Sequence, residues 1–136
     1  MPFTPTSTFL ANLKTLGFDK SVHCRGIYAK ISFEPFILNT RSFEATSHFL
    51  FRSLDKSRAK VEFKTCWPPR TKEEAREYNQ IAFRWLNELR QIQGSLLALI
   101  PLRKSYFEDC HHPTMSHIML AFSALVLNNV LSRFMG

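Results

Sequence analysis

The sequence predicts an all-α protein, a single domain of about five to seven helices. Three observations predict it. Apolar residues recur at i, i+3, i+4 and i+7 in one stretch after another, which is the period of a helix with one buried face. Proline and glycine stops are followed by Ser, Thr or Asn residues able to cap a new helix, most clearly where Cys66-Trp67-Pro68-Pro69 precedes Thr71-Lys72-Glu73-Glu74. The length of 136 residues with thirteen Phe suits one core, since a globule of this size buries roughly two thirds of its unfolded surface.

Taken in order, Thr4 before Pro5 is an N-cap and first-turn pair. Phe9, Leu10, Leu13 and Leu16 line one face until Gly17, so the first helix spans 5–16. Residues 19–32 read two ways: Ile27, Ala29 and Ile31 alternate as in a strand, yet 22–31 also fits an irregular helix. Asn39 or Thr40 then caps a helix with Phe43, Ser47, Leu50, Phe51 and Leu54 on its inner side. A short helix over 57–66 turns Ala59, Phe63 and Cys66 inward. Pro68 and Pro69 end it near Cys66, because neither continues a helix.

Thr71 and Glu74 form a capping box for the next helix, 72–93, in which Ala75, Tyr78, Ala82, Trp85, Leu86, Leu89 and Ile92 repeat at helical spacing before Gly94. Trp85 is a core anchor on this reading, and Trp67 a cap over the corner. Residues 95–100 form a short apolar helix or turn stopped by Pro101, and 102–112 a polar connection. Thr114 opens a last helix whose Met115, Ile118, Met119, Phe122, Leu125, Val126, Val130 and Phe134 cover much of its circumference, as expected of a helix central to a bundle.

Residues 1–9 have neither a basic start nor a signal-length apolar run. The longest nearly apolar run, 118–127, is half of the ~20 residues that a membrane span needs, so no membrane partner is expected. Three Cys without a close pair fit a reducing compartment. Cys110-His111-His112 and His23-Cys24 lack the paired spacing of a zinc site and are assigned to surface loop or cap, with no metal and no cofactor. No Gly-rich phosphate loop or Gly-x-Ser-x-Gly elbow is present, so the chain reads as a non-enzyme with no catalytic residue.

Charge is the informative property. The net charge is +7, and residues 1–72 hold twelve Lys and Arg against five acids, while 73–136 hold six against six. One side of the molecule is therefore basic and suited to an acidic surface. Lys56, Lys60 and Lys64 recur every fourth residue and share a helix face opposite Ala59, Phe63 and Cys66, with Arg52 extending the row and Arg58 flanking it. Asp55 and Glu62 would compensate part of that charge. A second pair, Arg103-Lys104, is balanced by Glu108-Asp109.

Phe63-Lys64-Thr65-Cys66-Trp67-Pro68-Pro69, together with Leu16-Gly17-Phe18 and Ser47-His48-Phe49-Leu50-Phe51-Arg52-Ser53-Leu54-Asp55, resembles the N-terminal domain of augmin (HAUS) complex subunit six, over 13–89. That resemblance implies a calponin-homology-like fold over 1–136, continuing in a longer coiled-coil protein. It also implies a place in a spindle complex that sends new microtubules off existing ones. The implied partners are microtubules (tubulin), augmin subunit seven and the other augmin subunits, with the γ-tubulin ring complex reached indirectly through the C-terminal part. The implied location is cytoplasm, cytoskeleton, mitotic spindle and centrosome.

Arg52, Lys56, Arg58, Lys60 and Lys64 are the candidate microtubule contact. The alternative is a basic helical nucleic-acid-binding domain using the same cations. It is disfavoured by the lack of interleaved exposed aromatics and of Asn or Gln placed to read bases.

Overall fold

The computed structural model describes residues 4–92, 94–110 and 112–135. Among the described residues seven α-helices follow in chain order: α1 Pro5–Thr15, α2 Lys20–His23, α3 Thr40–Leu54, α4 Lys56–Glu62, α5 Lys72–Arg90, α6 Tyr106–Asp109 and α7 Thr114–Met135. Two 3-10 turns, Gly26–Tyr28 and Leu96–Leu99, complete the set, and no strand occurs among the described residues. The protein is all-α. The ambiguous stretch resolves to α2 plus the first of those turns, since Asp19 caps Lys20–His23 through the amide of Ser21.

The local signals explain where helices begin. Thr4 and Ser7 form a capping box for α1, Asn39 and Ser42 one for α3, and Thr71 and Glu74 one for α5. Each box satisfies two backbone amides that a helix start otherwise leaves bare. Asp55 ends α3 and caps α4 at once, accepting from the Arg58 amide at 3.0 Å. Helix α4 is shorter than the sequence suggested: it closes at Glu62, and Phe63 to Cys66 leave it as a hydrogen-bonded turn. Gly94 holds φ +81°, a left-handed value suited to glycine after a helix.

The core is built on rings. Phe51 stacks on Trp85 at 4.4 Å and packs against Phe122 at 4.7 Å, which joins α3, α5 and α7. Phe63 stacks on Tyr78 at 4.7 Å and so anchors the turn after α4 to α5. Helix α7 packs along α1 and α3, and Asn12 donates to the buried Ser123 at 3.0 Å across the first of these contacts.

Several expectations need correction; α5, expected over 72–93 with Ile92 on its inner side, closes at Arg90 and leaves Ile92 52 % exposed. The 102–112 connection is not merely polar: α6 within it buries Phe107, and Cys110 behind it is 2 % exposed. Cys24 is likewise buried, so neither cysteine lies on the surface; both instead take the cap position that was the other expectation, Cys24 after α2 and Cys110 after α6, with their short apolar side chains drawn inward. His111 falls outside the described residues. The apolar circumference of α7 is buried only from Met115 to Val126, whereas Phe134 is 85 % exposed because the last turns run past the core. Among the described residues α7 is also the one helix long and apolar enough to cross a membrane, a property hidden when only an unbroken apolar run is counted. Its inner side is filled by this protein's own core.

Candidate functional site

The basic row is assembled by three pieces of backbone. Arg52 comes from the last turn of α3, Lys56 and Lys60 from α4, and Lys64 from the turn that follows. All four side chains are exposed, and they border one groove of about 410 Å³ whose lining includes His48, Ala59, Phe63 and Trp67. Ala59 and Phe63 thus sit beneath the lysines rather than on the opposite face. The reason is helical spacing: residues three apart, such as 56 and 59 or 60 and 63, are neighbours on a helix surface.

The local carboxylates are engaged elsewhere. Asp55 caps α4, and Glu62 pairs with Arg58 at 3.1 Å. Among the described residues no acidic group lies within 4.0 Å of the cations of Arg52, Lys56, Lys60 or Lys64. Like charges held this close repel, and a negative partner relieves that repulsion.

Arg58 does not join the row. Its guanidinium donates to Glu62 and, at 2.7 Å, to Glu88 of α5, and it lies 4.2 Å from the centre of the Trp85 ring. Those carboxylates raise its pKa, the Glu88 hydrogen bond most of all. Arg58 ties α4 to α5, a role set by Glu88, thirty residues away and invisible to local spacing.

The groove floor is aromatic and uncharged. His48 stacks on Trp67 with centroids 3.6 Å apart and planes 6° from parallel, and Tyr28 stacks on the same indole at 5.4 Å. Burial, helped by the nearby charge of Arg52, holds His48 down at about 3, so its ring is neutral at physiological pH. Sequence reasoning missed His48; its four-residue step before Arg52 was the available signal. Trp67 is half-buried, less enclosed than a core cap would be, whereas Trp85 is 2 % exposed, as a core anchor should be.

Behind the floor, Glu44 is fully buried and accepts from Tyr28 at 3.0 Å and from Arg41 at 2.9 Å. Arg41 also donates to the Pro69 carbonyl at 2.9 Å, which fastens the Trp67-Pro68-Pro69 corner to α3. Burial raises the Glu44 pKa against the opposing charge of Arg41. Arg103 and Lys104 lie apart from the groove; the Lys104 ammonium stands 5.7 Å from the Phe83 ring centre. No cluster of three or more metal-ligating side chains occurs among the described residues.

With that geometry in place, comparison with known proteins is informative. The family described as HAUS augmin-like complex subunit 6 N-terminus matches residues 9–136. The match runs through α7, well beyond the 13–89 stretch on which the resemblance rested. The HAUS augmin-like complex subunit 6 of Danio rerio is 28 % identical over 96 residues, covering 71 % of this chain and 12 % of that protein. The Homo sapiens protein of the same name is 32 % identical over 89 residues, covering 65 % of this chain and 9 % of that protein. The chain therefore aligns with about a tenth of the length of these relatives.

Proposed function

Because the chain belongs to the HAUS augmin-like complex subunit 6 N-terminus family, we propose that it is a non-enzymatic module of an augmin-like complex and presents its basic groove to the microtubule surface. The observation that carries this reading is the set of four exposed cations, Arg52, Lys56, Lys60 and Lys64, bordering one groove with no acidic group within 4.0 Å of them among the described residues. A microtubule offers an acidic protein surface of repeating geometry, and a row of cations on a rigid helical frame is complementary to it. The surrounding helices supply the rigidity, because α4 is pinned to α5 by Arg58 and the following turn by Phe63.

In this reading, residues 1–136 form a calponin-homology-like unit within a longer coiled-coil subunit. It pairs with subunit seven and the other augmin subunits, and it acts in microtubule-dependent microtubule nucleation on the spindle and at the centrosome. The γ-tubulin ring complex is met through other parts of the assembly. Family membership supports the complex; the basic groove supports the microtubule contact.

Co-sedimentation with microtubules at low and physiological ionic strength tests the reading. Binding by the isolated chain is expected to be weak and strongly salt-sensitive, because exposed charges are screened over about 8 Å at physiological salt. Pelleting that is insensitive to salt would count against it. Co-expression with subunit seven, followed by sizing and pelleting, separates direct lattice contact from a pairing role.

A further inference from the structure

We propose that the groove between α3, α4 and Trp67 receives an extended acidic peptide, the disordered glutamate-rich tail of the microtubule protein, rather than its folded lattice surface. The inference rests on the microtubule reading above and deepens it by naming the element that binds.

The first argument is shape. Cations on a flat face suit a flat acidic surface, but here four cations border a concavity of about 410 Å³ floored by Ala59, Phe63 and the His48–Trp67 stack. A single extended strand enters such a groove more readily than a folded surface does. Its backbone and aliphatic stems rest on the uncharged floor while its carboxylates reach the border.

The second argument is repeat length. Lys56 and Lys60 lie one above the other on α4, four residues at about 1.5 Å each, or roughly 6 Å along the axis. Alternate side chains of an extended peptide recur every 6.4 to 6.8 Å, approximately. Acids at every second position therefore match the spacing of Lys56 and Lys60, and Arg52 and Lys64 offer further cations on the border of the same groove.

The third argument separates this occupant from a single-stranded nucleic acid, which also favours cations beside aromatic rings. Stacking needs a free ring face. The Trp67 indole is already stacked by both His48 and Tyr28 and flanked by Tyr78 at 5.4 Å, so its face area is spent on the protein's own rings. The neutral state of His48 keeps the floor free of a fifth charge.

The test uses the 136-residue chain with intact microtubules, with microtubules whose acidic tails have been removed by limited proteolysis, and with a dye-labelled peptide of alternating Glu and Ser. Pelleting is expected to fall about tenfold on tail-stripped microtubules. The alternating peptide should bind, change Trp67 emission, and bind more tightly than a peptide of the same composition with its Glu residues in one block. Lys60→Glu should weaken both interactions, and Lys64→Glu is a second variant in case the first disturbs α4. Trp67→Phe should remove the emission change and retain peptide binding.

Undiminished pelleting on stripped microtubules that is still weakened by Lys60→Glu would overturn the tail inference and leave the microtubule reading standing. Indifference of intact-microtubule pelleting to both Lys variants would overturn the two together. Displacement of the peptide by an equal concentration of single-stranded oligothymidylate would assign the groove to nucleic acid instead.

Discussion

The His48 imidazole lies flat on the Trp67 indole, 3.6 Å between ring centres and 6° from parallel, and so joins the middle of α3 to the double-proline corner. The stack makes a basic groove with a neutral floor out of what the sequence shows only as a row of cations. Its chemistry has a pH signature. Folded His48 titrates at about 3, while its ordinary value is 6.5. Between those values the unfolded chain takes up a proton that the folded protein refuses, so stability falls as pH drops through this window and is unaffected by His48 above it.

Glu44 acts with the opposite sign: its raised pKa makes the folded state the better proton binder above 4.5, so rising pH costs stability there. The two are separable by mutation. His48→Phe keeps a ring on Trp67 and removes the titration. Thermal melts at neutral and mildly acidic pH are expected to show a smaller acid-induced drop in Tm for His48→Phe than for the parent. An equal drop would assign the pH dependence elsewhere.

The two tryptophans should differ in cost. Trp85 is 2 % exposed and stacked on Phe51 and Phe63, so Trp85→Ala is expected to destabilise by about 3 to 5 kcal/mol. Trp67 is half-buried and loses less apolar contact on truncation, about 2 kcal/mol. Denaturant unfolding of both variants checks the order, and the reverse order would mean that the corner, not the ring cluster, is the stability centre.

Arg58→Ala distinguishes a tie between helices from a contact with a partner. Arg58 is partly exposed, so its ion pairs with Glu62 and Glu88 and its packing on Trp85 are together worth about 1 kcal/mol. The variant should melt lower and still pellet with microtubules as the parent does. Lost pelleting in a folded Arg58→Ala protein would return Arg58 to the contact.

Arg133 carries a similar expectation at the C-terminal end of α3. From α7 it donates to the Ser53 and Leu54 carbonyls at 3.0 and 2.6 Å, closing carbonyls that the helix end leaves bare. Arg133→Ala should lower stability by about 1 kcal/mol. Faster hydrogen exchange in the last turn of α3 would accompany it, and exchange unchanged there would argue against the cap.

Much of this was legible in the sequence, and for identifiable reasons. Capping boxes are local, so Thr4, Asn39 and Thr71 marked true helix starts. The strong period of α5 placed Tyr78, Trp85 and Leu89 inside. What escaped was long-range. Glu88 removes Arg58 from the basic row, and Arg41 donates directly to the Pro69 carbonyl twenty-eight residues on; neither contact has a sequence period. Helix α6 is a single turn, too short to display one, and its Phe107 is buried by Phe43 and Phe83 from distant segments. The exposed end of α7 still places Leu131, Phe134 and Met135 at helical spacing, so packing is what separates Phe122 from Phe134.

The most direct measurement is co-sedimentation of the Lys56→Glu, Lys60→Glu, Lys64→Glu triple variant with microtubules, beside an Arg103→Glu, Lys104→Glu control that reverses charge away from the groove. A folded triple variant should lose pelleting at low salt while the control retains it. Equal pelleting by the triple variant and the parent would contradict the assignment of the groove as the microtubule contact.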